Sequence, residues 1–147
     1  MENREINGIS VFIIEDNQIL LMITRKLVEN LGYTVAGEAV SDQEALTRIR
    51  ETKPNIILSD IHIEGEKSGI EVIAEVRKFS DVPVIFISGS SGYTDMDLAE
   101  DVGYIRYLLK PVRKEALEEA LSLAANTLDT DNRSLQHDTE KSKARPI

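Results

Sequence analysis

Five short apolar runs, rich in β-branched residues, recur along this chain at a regular interval. Between them, apolar residues return at three- and four-residue steps, which is the spacing of an amphipathic helix. Short, continuously apolar runs are typical of strands that are buried on both faces of a parallel sheet. Strands that alternate with helices through short loops predict an α/β sandwich with an open, doubly wound sheet. The predicted strands cover residues 9–14, 34–39, 55–59, 82–88 and 104–109.

Start and stop signals define the helices and the domain. Gly32 follows the first helical pattern as a C-terminal stop, and Ser41 with Glu44 predicts a capping box that opens the second helix. Further helices are predicted around residues 70–79, 93–102 and 117–128. Beyond Leu128 the apolar periodicity ends. We therefore divide the chain into an N-terminal extension (1–8), one domain (9–128) and a flexible polar tail (129–147).

Composition narrows the classes of function. The chain has 147 residues, the size of one domain, and it has no cysteine, which excludes a disulfide framework, a thiolate metal site and a cysteine nucleophile. No apolar run approaches the roughly 20 residues of a membrane span, and the charged N-terminal segment does not resemble a secretory signal. We expect a cytoplasmic protein without membrane insertion. The net charge of −9 disfavours direct binding to nucleic acid.

Polar residues follow the predicted strands in a pattern that suggests a site. Glu15 and Asp16 follow the first strand, Asp60 follows the third, Ser88 ends the fourth and Lys110 follows the fifth. Open parallel sheets bind ligands beyond the carboxyl ends of their strands, so these side chains should share one edge. Carboxylates that meet there repel one another by roughly 4 kcal/mol per pair at about 4 Å and an effective dielectric near 20. A divalent cation removes this repulsion, and an all-oxygen site suits Mg²⁺.

A metal beside Asp60 would give the neighbouring groups a common chemistry. An aspartate can act as a nucleophile toward phosphorus and form an acyl phosphate. Mg²⁺ would bridge the carboxylates and the phosphoryl oxygens, while Lys110 and the Ser88 hydroxyl would contact other oxygens of the same group. The pattern predicts a site that receives a phosphoryl group.

Four segments, VFIIEDN, IILSDIHIEG, VPVIFISGS and YLLKPV, resemble in order and spacing the receiver domain of bacterial and archaeal two-component response regulators. The resemblance extends from Ile9 to about Leu128. It implies a flavodoxin-like (βα)5 sandwich whose five-stranded parallel sheet has the order 2-1-3-4-5. It also implies a single-domain response regulator that accepts a phosphoryl group from a sensor histidine kinase on Asp60. The signal would then pass by a conformational switch to a protein partner or a phosphorelay.

The resemblance implies a role for each residue of the site. Glu15 and Asp16 would hold Mg²⁺ together with the phosphoacceptor, and the backbone carbonyl of His62 would complete the protein ligands. Ser88 and Tyr107 would form the switch. The implied partners are a sensor histidine kinase or phosphotransfer protein and a downstream effector protein, with phosphorylation-dependent homodimerisation as a further interaction. The implied chemistry is slow self-catalysed phosphotransfer and dephosphorylation, without the turnover of an enzyme.

One loop departs from the family pattern. The segment HIEGEKSG lacks the proline that commonly follows the phosphoacceptor strand, and it is one residue longer before Gly69. The resemblance therefore does not assign the conformation of this loop.

Three other functions fit parts of the pattern. A receiver-like interaction module would keep the fold without phosphorylation. A haloacid dehalogenase-like phosphatase would also use an aspartyl nucleophile and Mg²⁺, but it places a second aspartate where His62 stands. A flavodoxin-like FMN carrier needs a loop rich in glycine and hydroxyl groups after the first strand, where this chain has EDNQILLM.

Single residues also have purely structural interpretations. Asp16 stands just before an amphipathic run, which is a common place for a helix N-cap. The side chain of His62 is expected to project toward solvent, so that its carbonyl alone faces the metal.

Overall fold

A computed structural model describes residues 8–89 and 93–137 of the chain. Five parallel strands form one sheet in the order β2-β1-β3-β4-β5. This confirms the predicted fold class and the strand order that the resemblance implies. The strands are β1 (Ser10–Ile14), β2 (Thr34–Ala39), β3 (Ile56–Asp60), β4 (Val84–Ser88) and β5 (Arg106–Leu109).

Five helices connect and follow the strands. The first ends before Gly32, whose positive φ of 102° suits a residue without a side chain. Ser41 caps the second helix by accepting a hydrogen bond from the Glu44 N–H at 3.4 Å. The Glu44 carboxylate accepts from the N–H of Val40 and not from that of Ser41, so the predicted reciprocal capping box is only half formed. The helices are α1 (Gln18–Asn30), α2 (Asp42–Thr52), α3 (Gly69–Val76), α4 (Tyr93–Val102) and α5 (Lys114–His137).

The last helix differs from its predicted boundary. α5 continues to His137, past Leu128, where the sequence pattern places the start of a tail. The loss of apolar periodicity removes a packing face, but it does not break the backbone hydrogen bonds of a helix, and residues 129–137 contain neither glycine nor proline. The flexible character of the tail stays a prediction. Residues 1–7, which form most of the N-terminal extension, and residues 138–147 of the tail lie outside the described residues.

The sheet is buried on both faces. Successive residues of β1 belong to different core clusters, Phe12 and Ile14 to one and Val11 and Ile13 to the other. Helices α2, α3 and α4 cover the first cluster, and α1 and α5 cover the second. Every residue of β3 and β4 is buried. This packing confines polar chemistry to the ends of the strands.

The first turn of α3 lies directly against the end of β3. The Gly69 N–H donates to the Ile61 carbonyl at 2.6 Å. A Cβ at Gly69 would lie 2.0 Å from the Asp60 carbonyl oxygen and 2.8 Å from the Ser59 hydroxyl. The helix α3 begins with a capping box in which Ser68 is the N-cap. The absence of a side chain at Gly69 thus allows α3 to approach the strand that ends in Asp60.

We expect Gly69→Ala to lower the free energy of unfolding by about 1–3 kcal/mol, because the added methyl overlaps backbone atoms that have little room to move. Urea denaturation measures the effect. Gly89→Ala is the matched control at the same edge of the sheet, since a Cβ there would meet nothing within 4 Å. Equal stability of the two variants would contradict the close approach of α3.

Candidate functional site

Three carboxylates meet at the carboxyl ends of β1 and β3. Glu15, Asp16 and Asp60 each offer one oxygen, and these oxygens all lie within 4.8 Å of one another. The parallel register places Ile14 beside Ser59, so the residues that follow these two, Glu15 and Asp60, are neighbours. Glu15 and Asp60 are buried, while Asp16 is half-buried. The structure therefore brings together the acids that the sequence places at this edge.

Lys110 reaches into this cluster from the end of β5. Its Nζ lies 2.7 Å from Asp60 Oδ2 and 3.4 Å from Glu15 Oε1. Its backbone N–H donates to the Ser88 carbonyl at 2.8 Å, and the peptide bond between Lys110 and Pro111 is cis. Burial would lower the pKa of the Lys110 ammonium, but the hydrogen bonds and charges of Asp60 and Glu15 outweigh it and raise that pKa. Lys110 therefore stays charged in the site.

The pKa of the Glu15 carboxyl group is raised by its position in the cluster. Burial raises the pKa of its carboxyl group most strongly, and the charge of Asp60 raises it further. A hydrogen bond from the Asn17 N–H at 3.1 Å and the charge of Lys110 act in the opposite direction. The balance raises the pKa of Glu15 from 4.5 to about 7. Without a metal ion, Glu15 changes its charge near neutral pH.

Asp60 is the last residue of β3, and both of its carboxylate oxygens have partners. Oδ2 accepts from Lys110, and Oδ1 accepts from the His62 N–H at 3.2 Å. A carboxylate oxygen can accept two hydrogen bonds, so lone pairs remain for a metal ion or for phosphorus. The strand and these two contacts fix the orientation of a potential nucleophile.

The donor set fits Mg²⁺. This ion binds oxygen at about 2.0–2.1 Å in octahedral geometry, so two of its ligands lie at most about 4.2 Å apart. The three carboxylate oxygens, within 4.8 Å of one another, lie close to this limit. Three anionic oxygen donors also match the preference of a hard cation. Glu15, Asp16 and Asp60 are thus the residues that would hold the ion.

The N-cap interpretation of Asp16 is wrong. Asn17 is the N-cap of α1, and its Oδ1 accepts hydrogen bonds from the N–H groups of Ile19 and Leu20, both at 3.0 Å. Aspartate and asparagine are equally good N-caps, so the sequence alone did not separate the two neighbours. The Asp16 carboxylate lies instead in the acidic cluster with Glu15 and Asp60.

The two residues of the predicted switch lie on neighbouring strands. Ser88 is the last residue of β4 and is fully buried. Tyr107 lies in β5 opposite Phe86, and its half-buried ring packs edge-on against Tyr104 with centroids 6.0 Å apart. The geometry puts Ser88 at the carboxyl edge and Tyr107 further back along the next strand. Their role as a switch stays a prediction.

The side chain of His62 points outward, as expected, and it contacts a residue that the sequence analysis missed. The side chain is 64% exposed, and its Nε2 lies 3.3 Å from Asp95 Oδ2 in α4. Asp95 is far from His62 in sequence, and an acid on a polar helix face gives no local signal of such a contact. The contact links the loop after β3 to α4.

Comparisons with known proteins agree with this geometry. Residues 11–122 match the family of response regulator receiver domains. The chain is 31% identical to chemotaxis protein CheY of Thermotoga maritima over 116 residues, which cover 78% of this chain and 96% of CheY. It is 35% identical over 115 residues to the KDP operon transcriptional regulatory protein KdpE of Escherichia coli, covering 78% of this chain and 50% of KdpE. The chain belongs to the response regulator receiver family.

Solved structures support the same assignment. The signal receiver domain of a modulated diguanylate cyclase from Desulfovibrio desulfuricans G20 is 30% identical, with a TM-score of 0.77, and the match covers 83% of this chain and 97% of that domain. Receiver domains bind Mg²⁺ at an acidic pocket and are generally signalling phosphoacceptors rather than enzymes. The hydrolase and flavin-carrier alternatives belong to other families. Several curated relatives, such as KdpE, are about twice as long as the matched region.

Among residues 8–89 and 93–137, the helices are too short or too polar for any of them to span a membrane.

We expect the wild-type protein to lose stability as the pH rises from about 5 to 8 in metal-free buffer. The pKa of Glu15 is higher in the folded state than in the unfolded state. Protonation of Glu15 therefore stabilises the fold fully below about pH 4.5, and this stabilisation is lost as the pH rises past about 7. Glu15→Gln should remove this part of the pH dependence, which is on the order of 1–3 kcal/mol. Urea unfolding in EDTA at several pH values measures it. If the free energy of unfolding of both proteins changes with pH in the same way, the raised pKa of Glu15 is contradicted.

Proposed function

We propose that this chain accepts a phosphoryl group on Asp60 from the phosphohistidine of a sensor kinase or phosphotransfer protein. The observation that supports this most is the environment of Asp60, a buried carboxylate that lies 2.7 Å from an ammonium and in a cluster with two further acids. A structural ion pair requires one acid for one lysine. Two additional carboxylates make the site anionic. Such a site suits a divalent cation that binds together with a phosphoryl group.

The transfer step follows from this arrangement. An oxygen of Asp60 attacks phosphorus, and the new O–P bond forms as the P–N bond to the donor imidazole breaks. The imidazole nitrogen keeps the electron pair and takes up a proton. Lys110 moves its contact from the carboxylate to a phosphoryl oxygen, where its charge offsets the incoming negative charge. When bound, Mg²⁺ supplies positive charge to the same group of oxygens.

Ser88 and Tyr107 form the proposed response to phosphorylation. The Ser88 hydroxyl would donate to a phosphoryl oxygen, and the ring of Tyr107 would turn inward behind it. Two observations support this pair: Ser88 is buried at the edge where Asp60 ends its strand, and its carbonyl accepts from the Lys110 N–H. Movement at Ser88 is therefore tied to Lys110 and, through it, to β5, which contains Tyr107.

The proposed partners follow from the class of protein. A cytoplasmic kinase or phosphotransfer protein would supply the phosphoryl group, and an effector protein, a phosphorelay or a second copy of the chain would read the changed surface. Slow hydrolysis of the acyl phosphate by water would end the signal, without an enzyme's turnover of a free substrate. The domain that carries these functions is proposed to span residues 9–128.

We expect incubation with acetyl phosphate and Mg²⁺ to add one phosphoryl group, about 80 Da, to the intact protein, because Asp60 provides one acceptor. Intact-mass spectrometry measures the adduct. Asp60→Asn and an EDTA control should both lose it. Asp81→Asn, which changes an exposed acid outside the cluster, should keep it.

An adduct that survives in Asp60→Asn would contradict the assignment of the acceptor. If the wild-type protein binds neither phosphate nor beryllofluoride in the presence of Mg²⁺, the phosphorylation-independent interaction module becomes the better description.

A further inference from the structure

Asp42, the first residue of α2, is a buried carboxylate that is separate from the acidic cluster. It is only 7% exposed. Its Oδ2 accepts hydrogen bonds from the N–H groups of Glu66 at 3.1 Å and Lys67 at 3.0 Å, and its Oδ1 accepts from Gln43 at 2.8 Å. Its own N–H donates to the Glu64 carbonyl at 3.2 Å. Three of these four hydrogen bonds connect Asp42 to the loop between β3 and α3.

The loop is shaped around this carboxylate. Gly65 has a φ of +115°, and a Cβ at this position would lie 2.1 Å from Asp42 Oδ1. Ser41 and Glu64 form a parallel bridge beside it. Consecutive backbone N–H groups, such as those of Glu66 and Lys67, form a concave site that favours an anion. A carboxylate of this chain fills that position.

The hydrogen bonds favour the charged form of Asp42. Burial acts to raise the pKa of its carboxyl group, but the hydrogen bonds from the backbone of Lys67, Gln43 and Glu66 outweigh burial and hold the pKa below its usual value. The loop is thus built to receive a carboxylate rather than a neutral acid.

The same loop begins at the phosphoacceptor site. Its first residue, Ile61, is held by the sheet, since its N–H donates to the Ile87 carbonyl at 3.0 Å. Its end is held by Ser68, the N-cap of α3. The segment 61–68 contains no proline, so no ring restricts its backbone between these two ends. Asp42 supplies the contact that fixes the middle of the loop.

We propose that Asp42 is a positioning residue that holds the loop of residues 61–68 so that the backbone carbonyl of His62 faces the Mg²⁺ site. This inference rests on the proposed function. It also accounts for the longer loop without proline, because hydrogen bonds to one buried carboxylate replace the rigidity that a proline would give. The contact acts through the loop, and Asp42 itself touches neither the phosphoryl group nor the metal.

The test compares the Mg²⁺ requirement of variants. In Asp42→Ala, we expect the Mg²⁺ concentration for half-maximal labelling by acetyl phosphate to rise roughly ten-fold, the size of effect seen when groups that orient metal ligands are removed. The labelling at saturating Mg²⁺ should match the wild type. Asp42→Asn should show a smaller rise, since its amide oxygen can still accept from Glu66 and Lys67, and it also serves if Asp42→Ala does not fold.

Asn55→Ala is the matched control for lost stability. Asn55 Oδ1 accepts from the Ser10 N–H at 2.8 Å and the Ser10 hydroxyl at 3.2 Å, at the opposite end of the sheet. This variant should lower the urea midpoint and leave the Mg²⁺ requirement unchanged. Amide hydrogen exchange of Glu66 and Lys67, followed by NMR, reports the loop contact without any need for labelling.

The outcomes separate the two proposals. A wild-type protein that neither takes up phosphate nor binds Mg²⁺ would overturn the proposed function. If the wild type is labelled and Asp42→Ala has the same Mg²⁺ requirement, the positioning role is overturned while the proposed function stands. Faster exchange of the two loop amides in that variant would then show that the contact only stabilises the loop.

Discussion

The concentration of buried charge at one edge of the sheet is the constraint on which the rest of this structure depends. Apolar cores cover both faces of the sheet, so the polar side chains are placed at the strand ends. There Asp60 and Glu15 are buried beside Lys110. One ammonium does not neutralise three carboxylates, and burial, together with repulsion from Asp60, raises the pKa of Glu15 to about 7. A bound divalent cation would remove the same repulsion without a proton.

The surrounding elements serve to hold these charges in place. Asn17 caps α1, which leaves Asp16 for the cluster. Gly69 lets α3 approach the end of β3 closely. Asp42 holds the loop that follows, through backbone N–H groups of residues 66 and 67. In each case a local rule of helix capping, close packing or anion binding by backbone amides determines the position of a group near Asp60. The site is therefore a product of the fold around it.

Much of this arrangement could be predicted from the sequence, because the periodicity of strands and helices is visible over short stretches of the chain. Apolar runs gave the strands within one or two residues, and the placement of Asp60 and Lys110 after strands gave their meeting point. The strand order came from the family resemblance. Contacts that depend on the conformation of a loop could not be predicted. The hydrogen bonds that Asp42 accepts from the loop after β3, and the pair of His62 with Asp95, depend on a loop conformation that no residue pattern encodes. The length of α5 was missed because polar residues can extend a helix without a packing face.

The proposed function requires that the cluster of Glu15, Asp16 and Asp60 binds a divalent cation, and thermal unfolding with increasing Mg²⁺ tests this directly. A ligand that binds only the folded state stabilises it by RT ln(1 + [L]/Kd), so the Tm of the wild-type protein should rise steadily with Mg²⁺ concentration. The variants Asp16→Asn and Asp60→Asn should lose most of this rise, whereas Asp81→Asn, at an exposed acid, should keep it. An equal rise in all four proteins, or no rise at millimolar Mg²⁺, would contradict the account.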